Sequence, residues 1–171
     1  EQFDQLLYKY PNIKFIENPA YNEANNISSA MCVRYLLSNA YVCEGDILLH
    51  NPKIIQKYQY KSNYCGIKCD RTDDWCLFEN KGRITGYAVG GENCHQMMGI
   101  SYWTEEDGRK LGDCIKKVYE MPGGKERYWD QVALGYYVED FDISIRECSF
   151  DDFIEIDTFN ELKAIDKIYD V

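Results

Sequence analysis

The 171-residue sequence lacks the short signatures of the commonest enzyme classes. No Walker phosphate loop, G-x-G-x-x-G turn or G-x-S-x-G elbow occurs, which excludes the standard P-loop, dinucleotide-binding and serine-hydrolase readings. Histidine is nearly absent: His50 and His95 are isolated, and neither has a Ser or Cys partner at a known motif spacing. No run approaches the roughly 18 consecutive apolar residues of a membrane span, and no signal peptide precedes the core, so a cytoplasmic protein is expected. There is no C-x-x-C pair among the 8 cysteines. Cys65, Cys69 and Cys76 are the closest cluster, and their spacing fits no common zinc pattern, which leaves buried, reduced thiols. Positive charge is also short, with 19 Lys and Arg against 29 Asp and Glu, a net charge of -10. Such a surface does not suit nucleic acid, and a phosphate ligand would need local help from a metal.

What is present centres on Tyr41 to Leu49, a short apolar run rich in β-formers that reads as a buried strand. Glu44 and Asp46 sit inside it. Burying an ionised acid costs several kcal/mol unless a cation or donors meet it, so both must reach solvent or hold a metal. Gly45 between them lets a ligand come close. Carboxylates at the end of a sheet strand suit Mg²⁺ held together with substrate phosphates.

Taken in order, the sequence predicts a helix over residues 1–10 ended by Pro11, a short strand Ile13 to Ile16, and a helix from Ser28 to Leu37 capped by Asn25, Asn26 or Ser28. The anion-attracting start of that helix is a candidate nucleotide contact. Strand, helix and strand follow, at Tyr41 to Leu49, Pro52 to Tyr60 and Tyr64 to Lys68, a β-α-β order that points to a parallel or mixed sheet. Trp75 to Val89 reads as a hairpin about Asn80-Lys81-Gly82. A strand His95 to Trp103, helices Glu105 to Tyr119 and Glu126 to Tyr137, strands Ile143 to Arg146 and Phe153 to Ile156, and a helix Phe159 to Ile168 complete the chain.

A further acid stands in the stretch Arg127-Tyr128-Trp129-Asp130, where aromatics beside one charge suggest a pocket wall. Trp75, Trp103, Tyr128 and Trp129 are candidates for a cation-binding cage, since the faces of such rings attract ammonium groups.

The order Asn25-Asn26-Ile27-Ser28-Ser29, Glu44-Gly45-Asp46, Ile100-Ser101-Tyr102-Trp103, Tyr128-Trp129-Asp130 and Ile154-Glu155-Ile156-Asp157 resembles bacterial phosphocholine cytidylyltransferases of the nucleotidyltransferase superfamily. The likeness spans nearly the whole chain. It implies an α/β fold, a mixed, mostly parallel sheet flanked by helices in a Rossmann-like nucleotidyltransferase sandwich. It also implies transfer of a cytidylyl group from CTP to phosphocholine, giving CDP-choline and pyrophosphate. On that resemblance Asp46 and Asp130 are the catalytic, Mg²⁺-binding acids, Asn25, Asn26 and Ser29 lie near the nucleotide, and Trp75, Tyr128 and Trp129 line the choline pocket. Neither nucleic acid nor membrane is an expected partner. The family's glycine-rich loop with its Arg and Lys has no counterpart here. The expectation is therefore that residues 1–171 form the C-terminal portion of one nucleotidyltransferase domain truncated at its N-terminus, inactive or nearly so alone, with an exposed sheet edge suited to pairing with another copy. Alternatives are a nucleotidyltransferase acting on a sugar phosphate or other alcohol phosphate, and a non-catalytic choline-binding or assembly domain.

Overall fold

The structure, a computed structural model that describes residues 3–169, runs α1 (Asp4–Lys9), α2 (Ile27–Val33), β1 (Ala40–Cys43), β2 (Ile47–Leu49), β3 (Asn63–Asn80), β4 (Arg83–Trp103), α3 (Glu105–Glu120), β5 (Ser144–Glu147), β6 (Phe153–Glu155) and α4 (Phe159–Ile165). Strands β3 and β4 form one long hairpin. Lys81 and Gly82 alone connect them, with φ of 52° and 79°, and two left-handed residues in succession make the tight turn that matches strand twist. The ladder shifts register between Thr72 and Trp75. Cys76 then faces both Ala88 and Gln96, so the hairpin curls.

The four-stranded sheet has the order β1-β4-β3-β5, and β2 pairs with β6 in a second, two-stranded sheet. The mixed α/β class holds. Its pairing balance is a correction: among the described residues only β3 with β5 is parallel, while β1–β4, β3–β4 and β2–β6 are antiparallel. The reason is the expected crossover helix at Pro52 to Tyr60, which is a single tight turn at Pro52–Ile54 capped by the Asn51 side chain. Without that helix the long hairpin dominates the sheet.

Other elements also differ from expectation. The run Tyr41 to Leu49 breaks after Cys43, because the chain turns outward through Gly45 and Asp46 and divides the run between two sheets. The stretch Glu126 to Tyr137 is a short turn at Gly124–Glu126 and a widened helical turn at Val132–Tyr136. Between them the Trp129 amide donates to Asn26 Oδ1 at 2.9 Å, which ties this segment to the start of α2 instead of to its own helix. Residues 13–16 run without a strand partner.

Two cores flank the sheet. One joins Ile27 of α2, Tyr64, Trp103, Leu134 and the Leu111, Ile115, Val118 stripe of α3, the i, i+4, i+7 spacing of a helix with one apolar face. The smaller one holds Cys65, Ile67, Met98, Ile100 and Phe153. Neighbouring Tyr64 and Cys65 enter opposite cores, as the two-residue period of a strand requires. The start of α3 is pinned by Thr104, whose hydroxyl accepts from the Asp107 amide, and by Ser62, whose hydroxyl donates to the Asp107 carboxylate at 2.6 Å. All eight cysteines are free thiols, with Cys65, Cys76, Cys94 and Cys114 buried. Among the described residues no helix is long and apolar enough to cross a membrane.

Candidate functional site

The break after β1 builds the site. The Glu44 amide donates to the Gly99 carbonyl at 2.8 Å, which holds the departing chain against β4. Gly99 has no side chain, and a Cβ there would collide with the Glu44 carboxylate. Three residues later β2 starts its pairing with β6, where Ile47 faces Glu155 and the Ile156 amide donates to the Asp46 carbonyl at 2.9 Å. The consequence is convergence. Carboxylate oxygens of Glu44, Asp46 and Glu155 all lie within 4.8 Å of one another.

Neighbouring negative charge raises the proton affinity of a buried carboxyl. Burial first, then the charges of Asp130, Asp46, Glu155 and Asp157, push the Glu44 carboxyl up to about 7. Glu155 is raised as well, by burial and then by Asp157 and Asp46. A divalent cation would remove that repulsion, and an all-oxygen donor set fits a hard ion such as Mg²⁺. Asp130 lies outside this trio. It is 4% exposed, burial pushes its carboxyl up to about 6, and its Oδ1 has no hydrogen-bond partner among the described residues.

Two cavities meet here. One, of about 350 Å³, is lined by Glu44, Asp46, Asp74, Asp130 and Glu155 together with Trp75 and Tyr128. The other, of about 380 Å³, is more apolar, with Ala30, Val33, Leu37, Val42 and Trp129 on its walls and Ser29 among its polar groups. Asn26, Glu44 and Gly45 line both.

Asp46 and Asp130 therefore share the acidic cavity, although the tight carboxylate group pairs Asp46 with Glu44 and Glu155. Trp75 and Tyr128 also share it. Their rings meet edge-on with centroids 5.3 Å apart, and Tyr87 stacks on Trp75 at 5.4 Å. Trp129 does not join them: it is buried, stacked on Tyr64 and edge-on to Trp103, and touches the second cavity. Trp103 is wholly core. Asn25 is tied to the loop before Asp130, its amide donating to the Lys125 carbonyl at 2.8 Å. The Asn26 side chain holds Trp129, and the Ser29 hydroxyl accepts from Asn18 at 3.0 Å. Sequence reasoning did not single out Glu155 as a ligand. Its signal was there in Ile154-Glu155-Ile156, an acid inside an apolar strand like Glu44.

No protein-family profile matches the chain. It is 31% identical to a 2-aminoethylphosphonate cytidylyltransferase of Lancefieldella rimae, an alignment covering 99% of this chain and 70% of the relative. With a choline-phosphate cytidylyltransferase of Haemophilus influenzae it shares 25% identity over 96% of this chain and 71% of that protein. Among solved structures, the CTP:phosphocholine cytidylyltransferase of Streptococcus pneumoniae superposes with a TM-score of 0.85 at 24% identity, covering 98% of this chain and 73% of its own. A glucose-1-phosphate thymidylyltransferase of Bacillus anthracis, solved with sucrose, gives a TM-score of 0.60 at 13% identity, over 86% and 62% of the two chains. These two structural likenesses establish the nucleotidyltransferase fold.

Proposed function

The chain belongs to the cytidylyltransferases, and from that membership we propose that its paired cavities serve transfer of the cytidylyl group of CTP to a small phosphate or phosphonate bearing a positively charged nitrogen. Phosphocholine, which the sequence resemblance implies, and 2-aminoethylphosphonate both have that form. The observation that carries the reading is the junction: Glu44 and Gly45 line both cavities at the point where three carboxylates converge.

In this mechanism the nucleotide occupies the more apolar cavity beside Asn26 and Ser29, and the acceptor occupies the acidic one. An acceptor phosphoryl oxygen attacks the α-phosphorus of CTP, a new P–O bond forms, and pyrophosphate leaves in line. The attacking oxygen is already anionic, so the chain needs no nucleophile of its own and contributes position and electrostatics. Glu44, Asp46 and Glu155 would hold Mg²⁺. Bound there, the ion would screen the triphosphate charge and polarise the α-phosphoryl group. Trp75 and Tyr128 offer ring faces to the cationic end of the acceptor. The five carboxylates of this cavity have no lysine, arginine or histidine among its lining residues, so its occupants are expected to bring positive charge.

The test is phosphorus NMR of the full-length protein with CTP, Mg²⁺ and either acceptor. Equimolar pyrophosphate and a CDP-linked product are expected. Turnover of sugar phosphates in place of both acceptors would overturn the reading.

A further inference from the structure

The acidic cavity has a second feature, separate from its carboxylate trio. Asp130 is buried, only 4% exposed, lines the cavity wall with Trp75 and Tyr128, and leaves Oδ1 without a partner among the described residues. An unpaired buried acceptor is costly, and such an atom in a native fold calls for a partner from outside the chain. The aromatic surround is thin. Tyr87 already covers one face of Trp75, Tyr128 approaches that ring by its edge, and Tyr128 itself is 41% exposed.

These features select between two kinds of cation. A quaternary ammonium has no N–H and is recognised by enclosing aromatic faces, of which few are free here. A primary ammonium brings three donors and would satisfy the stranded carboxylate through a charge-assisted hydrogen bond. We propose that this site selects an acceptor whose cationic nitrogen carries N–H bonds, with Asp130 as the specificity-determining residue that accepts from it. A site built to accept an N–H rejects the analogue that lacks it far more strongly than an apolar pocket rejects extra bulk. Asp130 then acts in acceptor recognition, and the divalent-ion group is Glu44, Asp46 and Glu155. This inference rests on reading the acidic cavity as the acceptor site.

The experiment uses a series that varies only in N–H count: phosphoethanolamine, its N-methyl and N,N-dimethyl forms, and phosphocholine. Each is titrated calorimetrically into the full-length protein with Mg²⁺, and CTP turnover is measured in parallel. Affinity is expected to fall stepwise, by about tenfold or more between the ends. Asp130→Asn should flatten the series without altering the CTP titration. Equal or tighter binding of phosphocholine would overturn the inference and leave the proposed transfer intact. Binding of none of the series would overturn the acceptor reading instead. In that case methylammonium against tetramethylammonium, followed by quenching of tryptophan fluorescence, decides the inference alone: it stands if methylammonium quenches at lower concentration and falls otherwise.

Discussion

The Glu44 carboxylate occupies the space that a side chain at Gly99 would fill. That contact, with the 2.8 Å bond from the Glu44 amide to the Gly99 carbonyl, turns a strand-end acid back over β4 toward Asp46 and Glu155. Gly99→Ala is therefore expected to displace Glu44 while leaving the ladder hydrogen bonds in place. Titration with Mg²⁺, or with Mn²⁺ by electron paramagnetic resonance, should show binding weakened by about tenfold or more. Unchanged affinity in a folded variant would remove Glu44 from the ligand set.

Protonation of Glu44 and the proposed metal binding would compete at the same oxygens. The Glu44 carboxyl is raised from 4.5 to about 7, and Asp130 from 3.8 to about 6. A carboxyl raised in the native state binds protons more tightly there than in the unfolded chain, so its stabilisation is present at low pH and lost as pH rises through its folded value. Asp152 and Glu161 are lowered by hydrogen bonds; their contribution has the opposite sign and is lost only as pH falls below the ordinary carboxylate range. With EDTA present, Tm should therefore decline between about pH 5 and about pH 8. Added Mg²⁺ should raise Tm more at the upper end than the lower, and Glu44→Gln should flatten the metal-free slope. A Tm that climbs across this interval without metal would contradict the assignment.

Asp46 has the clearest catalytic prediction. It sits in the turn between β1 and β2, exposed, with Glu44 and Glu155 within reach. Asp46→Asn keeps the shape and removes a charge, so turnover in the full-length enzyme should fall by roughly 100-fold or more. Melting temperature should hardly change, because the side chain is not part of either core. Retention of wild-type kcat would exclude a role at the reacting phosphorus.

Much of this was legible because the acids interrupt apolar strands. Glu44 and Asp46 stand out in Tyr41 to Leu49, since an ionised group inside a β-forming run demands a partner. The tight turn at Lys81 and Gly82 and the extent of α3 also follow from local chemistry. What stayed hidden depends on contacts distant in sequence. Glu155 joins Asp46 only through the pairing of β2 with β6, and no local spacing encodes that register. Trp129 and Tyr128 are neighbours in sequence and diverge in space, because the Trp129 amide is claimed by Asn26, 103 positions away. The stretch Pro52 to Tyr60 has helical apolar spacing, yet only its first turn forms. Propensity is a weak prior there, and tertiary context overrides it.

Trp75 is expected to act on acceptor affinity alone. Its ring lines the acidic cavity between Tyr87 and Tyr128. Trp75→Leu removes a cation-attracting face, an effect of about 1 to 2 kcal/mol in a partly desolvated setting. The KM for the acceptor should rise by about tenfold, while the KM for CTP stays near its wild-type value. Equal rises in both would mean that the ring supports the fold of the hairpin and not one ligand.

Two opposing effects meet at Gly108 of α3. On an isolated helix, replacing Gly108 of α3 by Ala would stabilise by about 1 kcal/mol, because glycine is a poor helix former. In this protein a Cβ at Gly108 would run into the backbone carbonyl of Leu37, where the chain leaves α2 for β1. Backbone cannot rotate aside as a side chain does, so the helix must lift away from the loop it packs on, at a cost of about 1 to 3 kcal/mol. Gly108→Ala should therefore be net destabilising, seen as a lower urea midpoint with an unchanged m-value. The same displacement would propagate along β1 to Glu44, so weaker Mg²⁺ binding should accompany the loss of stability. A stabilised variant would show that helix propensity outweighs the contact with Leu37.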